Sequence, residues 1–214
     1  MSQGKKGLDG VSIGDSRLSL VNGTEGKLVY AGYKIEDLAA HALYEEVVYL
    51  LWEGKLPNAT ELEQLRASIA ENAGIPDEVL TLLKTFPKDA NAMAVLRTAV
   101  SALAFYDPDS ENYTLDALRR KAVRLTGQVT TLSAAWMRIR QGQEPLAPRK
   151  DLNLSANFVY MITGVEPAAT AVDAINAYMV LLTEHGMNAS TFASRVTVST
   201  GSDMHSAIVS AIGT

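Results

Sequence analysis

His185 has the neighbours best placed for chemistry in this chain: Glu184 precedes it, Gly186 follows, and Asn188, Ser190 and Thr191 come within the next six residues. An apolar helical run, 174–182, leads into the stretch, and Gly186 falls where a helix C-terminus favours a left-handed glycine. Asn188 suits the N-cap of a second helix, with small residues behind it. The spacing therefore predicts His185 in the last turn of one helix, facing the start of the next. A helix C-terminus favours the imidazolium, and a helix N-terminus offers free N–H groups and a positive dipole end. With the Ser190 and Thr191 hydroxyls added, the arrangement suits a small anion such as a carboxylate. It fits equally a plain helix–turn–helix in which His185 is half-exposed, and spacing alone leaves both open.

Other chemistries are poorly served. The chain has no cysteine, which excludes disulfides, thiolate catalysis and cysteine metal sites. Its three histidines, His41, His185 and His205, lie far apart, and no His-Glu-x-x-His pairing exists, so no metal site is expected. No serine stands in a Gly-x-Ser-x-Gly setting. Gly23, Gly26 and Lys27 are spaced wrongly for a phosphate loop, and Leu28 replaces the hydroxyl such a loop needs. His41 is expected at the surface end of a helix, and His205 in the first turn of the last helix, neutral or exposed. With 19 basic against 24 acidic residues the net charge is -5, which argues against nucleic-acid or anionic-membrane partners. No apolar run approaches the ~20 residues of a membrane span. The polar opening, Met1 to Lys6, has no apolar signal core. A cytoplasmic protein is the expectation.

The elements that must hold these residues read as mainly α. Residues 1 to 11 suggest an ordered arm at best. Ser16 to Val21 alternates at period two, Asn22-Gly23 turns the chain, and Lys27 to Tyr30 returns, which predicts a short β-hairpin. Helices are then expected over 35–42, 44–52, 60–72 (capped by Asn58 or Thr60), 77–85, 91–106, 115–141, 152–162, 168–183 and 203–211. The longest carries Leu115, Leu118, Ala122, Leu125, Val129, Leu132, Trp136 and Ile139 at steps of three and four. That stripe fits a coiled-coil seam or, with so many short helices around it, the spine of a globular core. Gly127 within it suggests a close helix crossing, and Arg119, Arg120, Lys121 and Arg124 suggest a solvated basic face. The small residues of the last helix, Ser206, Ala207, Ser210 and Ala211, allow close approach in a core or a dimer interface.

The run His185-Gly186-Met187-Asn188-Ala189-Ser190-Thr191-Phe192 resembles the substrate-histidine segment of the citrate synthase family, in which a His-x-x-Asn-Ala-Ser-Thr pattern recurs. Gly7 to Val11, Gly26 to Leu38, Asn157 to Met161 and Ser202 to Ala207 resemble family segments in the same order. The likeness spans essentially the whole chain. It implies a multi-helical large domain with a short N-terminal β-hairpin, in a homodimer that condenses oxaloacetate with acetyl-CoA in the tricarboxylic acid cycle, without metal or cofactor. It implies that His185 hydrogen-bonds oxaloacetate, with Asn188 and Ser190 at or near that pocket. Many members carry an acidic residue directly after the histidine; this chain has Gly186 there and Glu184 before, which leaves fine substrate choice open.

The family's two catalytic histidines, its catalytic aspartate and most of its coenzyme A site lie beyond the segment matching residues 211–214. The resemblance therefore implies that residues 1–214 are the N-terminal part of a large domain, truncated at its C-terminus, without the small domain and without turnover of its own. Exposed apolar surface, and association through it, would follow. A 2-methylcitrate synthase acting on propionyl-CoA is the alternative within the family. A non-catalytic helical interaction module built on the Leu115 to Ile139 spine is the alternative outside it.

Overall fold

The computed structural model describes residues 14–214. The expected arm and the Gly7 to Val11 segment lie outside them. β1 (Ser19–Asn22) and β2 (Lys27–Tyr30) form the expected antiparallel hairpin, in register from Ser19 opposite Tyr30 to Asn22 opposite Lys27. β1 begins three residues later than the alternation suggested. Leu18 stays attached, because its carbonyl accepts from the Ala31 N–H at 2.8 Å. A third strand, β3 (Tyr33–Lys34), follows a tight turn in which Ala31 and Gly32 both take positive φ, 44° and 95°. Two central residues of that kind match the twist of a hairpin.

Ten helices follow among the described residues: α1 (Ile35–His41), α2 (Tyr44–Glu53), α3 (Ala59–Asn72), α4 (Asp77–Thr85), α5 (Ala92–Leu103), α6 (Leu115–Arg140), α7 (Leu154–Thr163), α8 (Ala169–Leu182), α9 (Ala189–Ser199) and α10 (Met204–Ile212). Their ends follow local chemistry. Asn58, not Thr60, caps α3, in a reciprocal box with Glu61. Asn91, Thr114, Asn153, Asn188 and Asp203 each accept a backbone N–H at the start of α5, α6, α7, α9 and α10. α2 and α7 stop at Gly54 and Gly164, both left-handed. The α5 prediction ran three residues long because Ala104–Tyr106 tightens into a 3-10 turn.

α6 is the spine of a globular core. Leu125, Leu132, Trp136 and Ile139 pack with Val79 and Leu83 of α4 and Val95, Ala99 and Val100 of α5. The stripe starts later than its spacing implied, since Leu115 is 66% exposed. A second cluster joins Tyr30, Ile35, Leu38, Val47, Leu50 and Val180, and so fastens the sheet to α1, α2 and α8. At Gly127 the crossing with α3 is as close as expected: a Cβ there would lie 2.9 Å from the Ala73 Cα and 3.1 Å from the Ile69 carbonyl oxygen.

The basic face of α6 is solvated only in part: Arg119 and Arg120 are exposed, Lys121 and Arg124 are not. Lys121 is fully buried; its Nζ donates to the Ser110 carbonyl at 2.9 Å and stands 5.2 Å from the centre of the Tyr113 ring. Arg120 and Arg124 both donate to Asp109, and Arg124 also to Asp107. These hydrogen bonds hold the Asp109 carboxyl well below the usual carboxylate range. Arg119 and Arg120 keep to the outside, Arg119 reaching Glu53 at 3.3 Å. The segment 107–114 doubles back over the first turns of α6 and brings its acids to the basic residues, which a helical wheel of α6 alone does not contain.

Candidate substrate-binding loop

The His185 stretch is a loop between two helices. α8 ends at Leu182, so His185 lies three residues past the helix and not in its last turn. Glu184 makes the difference. Its Oε1 accepts the Gly186 N–H at 2.6 Å, which bends the chain where a further helical turn would have run. Gly186 follows with φ 91°. The dipole argument for a charged imidazole therefore does not apply. Asn188 sets the ring state instead. Its Oδ1 accepts the Thr191 N–H at 2.7 Å, and its Nδ2 stands 2.6 Å from His185 Nε2. An amide nitrogen only donates, so Nε2 is the acceptor and the neutral ring carries its proton on Nδ1.

The imidazole is exposed, while Asn188, Ser190 and Thr191 are half-buried in the start of α9. The Asn188 cap takes the Thr191 N–H, and among the described residues the Ala189 and Ser190 N–H groups and the Ser190 hydroxyl meet no protein partner. Of the three residues picked out from the sequence, His185 and Asn188 are in contact, and Ser190 follows in the first turn of α9. A ring N–H, a hydroxyl and helix-start amides thus lie within six residues of chain.

What stands behind the loop is not legible in its own residues. The Ser19 hydroxyl donates to Glu184 Oε1 at 2.9 Å. The Tyr30 hydroxyl accepts the Glu184 N–H at 3.2 Å and donates to the Leu181 carbonyl at 3.1 Å. Burial pushes the Tyr30 phenol up from its ordinary pKa, so it stays a donor at any working pH. Val21 Cγ2 would touch a Cβ on Gly186, at 3.6 Å.

The other two histidines are elsewhere. His41 is exposed at the end of α1, as expected. His205 is 1% exposed in the first turn of α10, with Nε2 3.5 Å from Asp107 Oδ2 and Nδ1 3.8 Å from Asp203 Oδ1, and neither nitrogen hydrogen-bonded. Burial pulls its pKa down, against the pull of the two carboxylates and with the help of Lys121 and Arg124. It is the neutral ring the sequence suggested, though not an exposed one. Among the described residues no three histidine or acidic side chains gather as metal ligands would, and no helix is long and apolar enough to cross a membrane. An open cleft of about 640 Å³ between α2, α6, α7, α8 and α10, walled by Trp52, Leu125, Val129, Phe158 and Tyr178, has no carboxylate, histidine, lysine or arginine in its lining. It offers packing surface but no acid–base chemistry.

The family model described as "Citrate synthase, C-terminal domain" matches residues 7–214. The citrate synthase of Haloferax volcanii is 44% identical over 98% of this chain and 56% of its own length. A 2-methylcitrate synthase of Mycobacterium tuberculosis is 40% identical over 98% of this chain and 53% of its own. The crystal structure of citrate synthase from Pyrobaculum aerophilum superposes with a TM-score of 0.91 at 34% identity, covering 97% of this chain and 54% of that one. Citrate synthase from Thermoplasma acidophilum, solved as a ternary complex with carboxymethyl coenzyme A and oxaloacetate, gives the same TM-score at 31% identity and the same coverage. The chain spans about half the length of the curated relatives it matches. A helical body that superposes this closely, with the His-x-x-Asn-Ala-Ser-Thr loop set between α8 and α9, places this chain in the citrate synthase family.

Proposed function

We propose that residues 1–214 form the N-terminal part of a citrate synthase large domain and bind the oxaloacetate that the whole enzyme condenses with acetyl-CoA. One observation carries the reading: the Asn188 amide donates to Nε2 of the exposed His185 ring, which leaves the ring proton on Nδ1, close in sequence to the free amides at the start of α9. Oxaloacetate has two carboxylates and a ketone, all acceptors. A neutral N–H, the Ser190 hydroxyl and helix-start amides are donors. His185, Asn188 and Ser190 are the substrate-binding residues in this reading. The oxaloacetate bound by the Thermoplasma relative supports the ligand class.

Binding and turnover separate here. Removing a proton from the methyl group of a thioester needs a free base, and polarising the ketone needs a second donor. The carboxylate nearest in sequence to His185 is Glu184, whose Oε1 is already engaged by Gly186 and Ser19. In this reading the 214-residue chain binds oxaloacetate without forming citrate, and the catalytic groups belong to the rest of a longer enzyme. The open apolar cleft and exposed side chains such as Phe105 and Tyr178 support a homodimer. Relatives include a 2-methylcitrate synthase and a Bacillus subtilis citrate/2-methylcitrate synthase, so propionyl-CoA is the alternative acyl donor.

Calorimetric titration of oxaloacetate into the purified chain tests the reading. Binding that is lost in His185→Ala is expected. Equal binding by the two proteins, or citrate formed by the chain alone, would overturn it.

A further inference from the structure

A site carried by an exposed loop needs its geometry imposed from outside, because a loop with few buried contacts samples many arrangements. The His185 loop has such a support, and it comes from the other end of the chain. Ser19 and Tyr30 are directly opposed in the β1–β2 ladder, and Val21 lies two residues along β1. Side chains opposite one another, or two apart on one strand, share a face. That face of the hairpin meets the loop at three points: Ser19 on Glu184, Tyr30 on the Glu184 N–H and the Leu181 carbonyl, and Val21 on Gly186. Tyr30 is fully buried with Val180, so the face is anchored in a core cluster.

We infer that Glu184 is a positioning residue for the ligand-binding ring of His185, with β1 and β2 as its anchor. The carboxylate joins two pieces of chain at one oxygen: the Gly186 N–H that sets the bend, and the Ser19 hydroxyl of β1. The bend turns His185 toward Asn188, and Asn188 fixes the tautomer. The same donors have a second effect. A carboxylate beside a site for a dicarboxylate would repel it, and two hydrogen bonds hold this oxygen against the hairpin and spread its charge. Glu184 acts through His185 and does not itself touch the ligand. The effect on binding rests on the oxaloacetate reading; the effect on the ring does not.

Nitrogen-15 NMR of the His185 ring, with oxaloacetate calorimetry, tests this in the 214-residue chain. The wild type should show one tautomer, protonated at Nδ1. Glu184→Ala should mix the tautomers and weaken oxaloacetate binding about tenfold, the scale seen when a supporting partner of a site residue is removed. Ser19→Ala, a half-exposed position whose loss does not threaten the core, should shift both readouts the same way by less. Glu184→Gln keeps an oxygen that accepts both bonds and should restore both. An unchanged ring tautomer in both Glu184→Ala and Ser19→Ala overturns the inference whatever the ligand does. Mixed tautomers with undiminished binding, where His185→Ala abolishes it, overturn the positioning role and leave the oxaloacetate reading standing. A wild type that binds no oxaloacetate removes that reading, and the ring signal still decides whether the hairpin holds His185.

Discussion

The side-chain amide of Asn188 ties His185 to α9 at both ends: Oδ1 accepts the Thr191 N–H at 2.7 Å while Nδ2 faces His185 Nε2 at 2.6 Å. Capping fixes which way the amide points, and the amide then fixes the tautomer. The two roles separate by mutation. Asn188→Asp keeps an N-cap and should leave the thermal midpoint nearly unchanged, yet it presents an acceptor to Nε2. The ring should then protonate at Nε2, and oxaloacetate binding should weaken beside the new carboxylate. Asn188→Ala should also lose about 1 kcal/mol of stability with the cap. Denaturation and ring NMR measure the two effects independently.

Gly127→Ala sets two effects against each other. Alanine gains about 1 kcal/mol over glycine in a helix interior. Its Cβ would stand 2.9 Å from the Cα of Ala73 and 3.1 Å from the Ile69 carbonyl oxygen, so backbone must move. Overpacking of this kind costs about 1 to 3 kcal/mol. Net destabilisation is expected in urea melts, and Ala73→Gly should not rescue it, because the obstructing atoms include backbone.

His205 should make the fold acid-sensitive near neutrality. Burial lowers its folded pKa below the ordinary 6.5, so under acid the unfolded chain takes up the proton first. Stability is therefore full above about pH 6.5 and falls as pH drops below it, by at most about 1.4 kcal/mol per pH unit from this group. His205→Phe keeps a ring of similar bulk and should flatten the profile from pH 7 to 5 in urea melts. An identical slope in the variant would show that the ring does not titrate there.

Arg124→Met should be among the most damaging changes to a polar residue. The guanidinium is the hydrogen-bonded partner of Asp107, whose side chain is 4% exposed, and it also holds Asp109. Removing one member of a buried ion pair costs about 3 to 5 kcal/mol, because the other charge stays behind. Arg119→Met, on an exposed member of the same basic run, should shift thermal melting by much less.

Legibility from the sequence divided along one physical line. Helix ends were readable where a residue acts on its immediate neighbours: Asn188 caps α9 as expected, and Asn58, one of two candidates, caps α3. The Gly127 crossing was readable because glycine in mid-helix carries a penalty that wants a reason. The identity of partners that return from a distance was hidden. Lys121 reads as solvated until the 107–114 segment folds over it, and β3 is two residues long and runs straight into α1. His185 could be assigned its helix-start partner but not its place. Glu184 was visible as a neighbour and invisible as a hinge, since its partner Ser19 is 165 positions away.

That separation bears on how the loop comes to exist during synthesis. The hairpin is synthesised before α1 to α8, and Glu184 emerges only after they have followed. Closing so long a loop is entropically costly until intervening helices have packed and brought the ends together. The α6 core, reported by Trp136, can form before the hairpin meets the loop. The binding geometry is then a late product of folding, completed when an earlier segment of the nascent chain closes on one made some 165 residues after it.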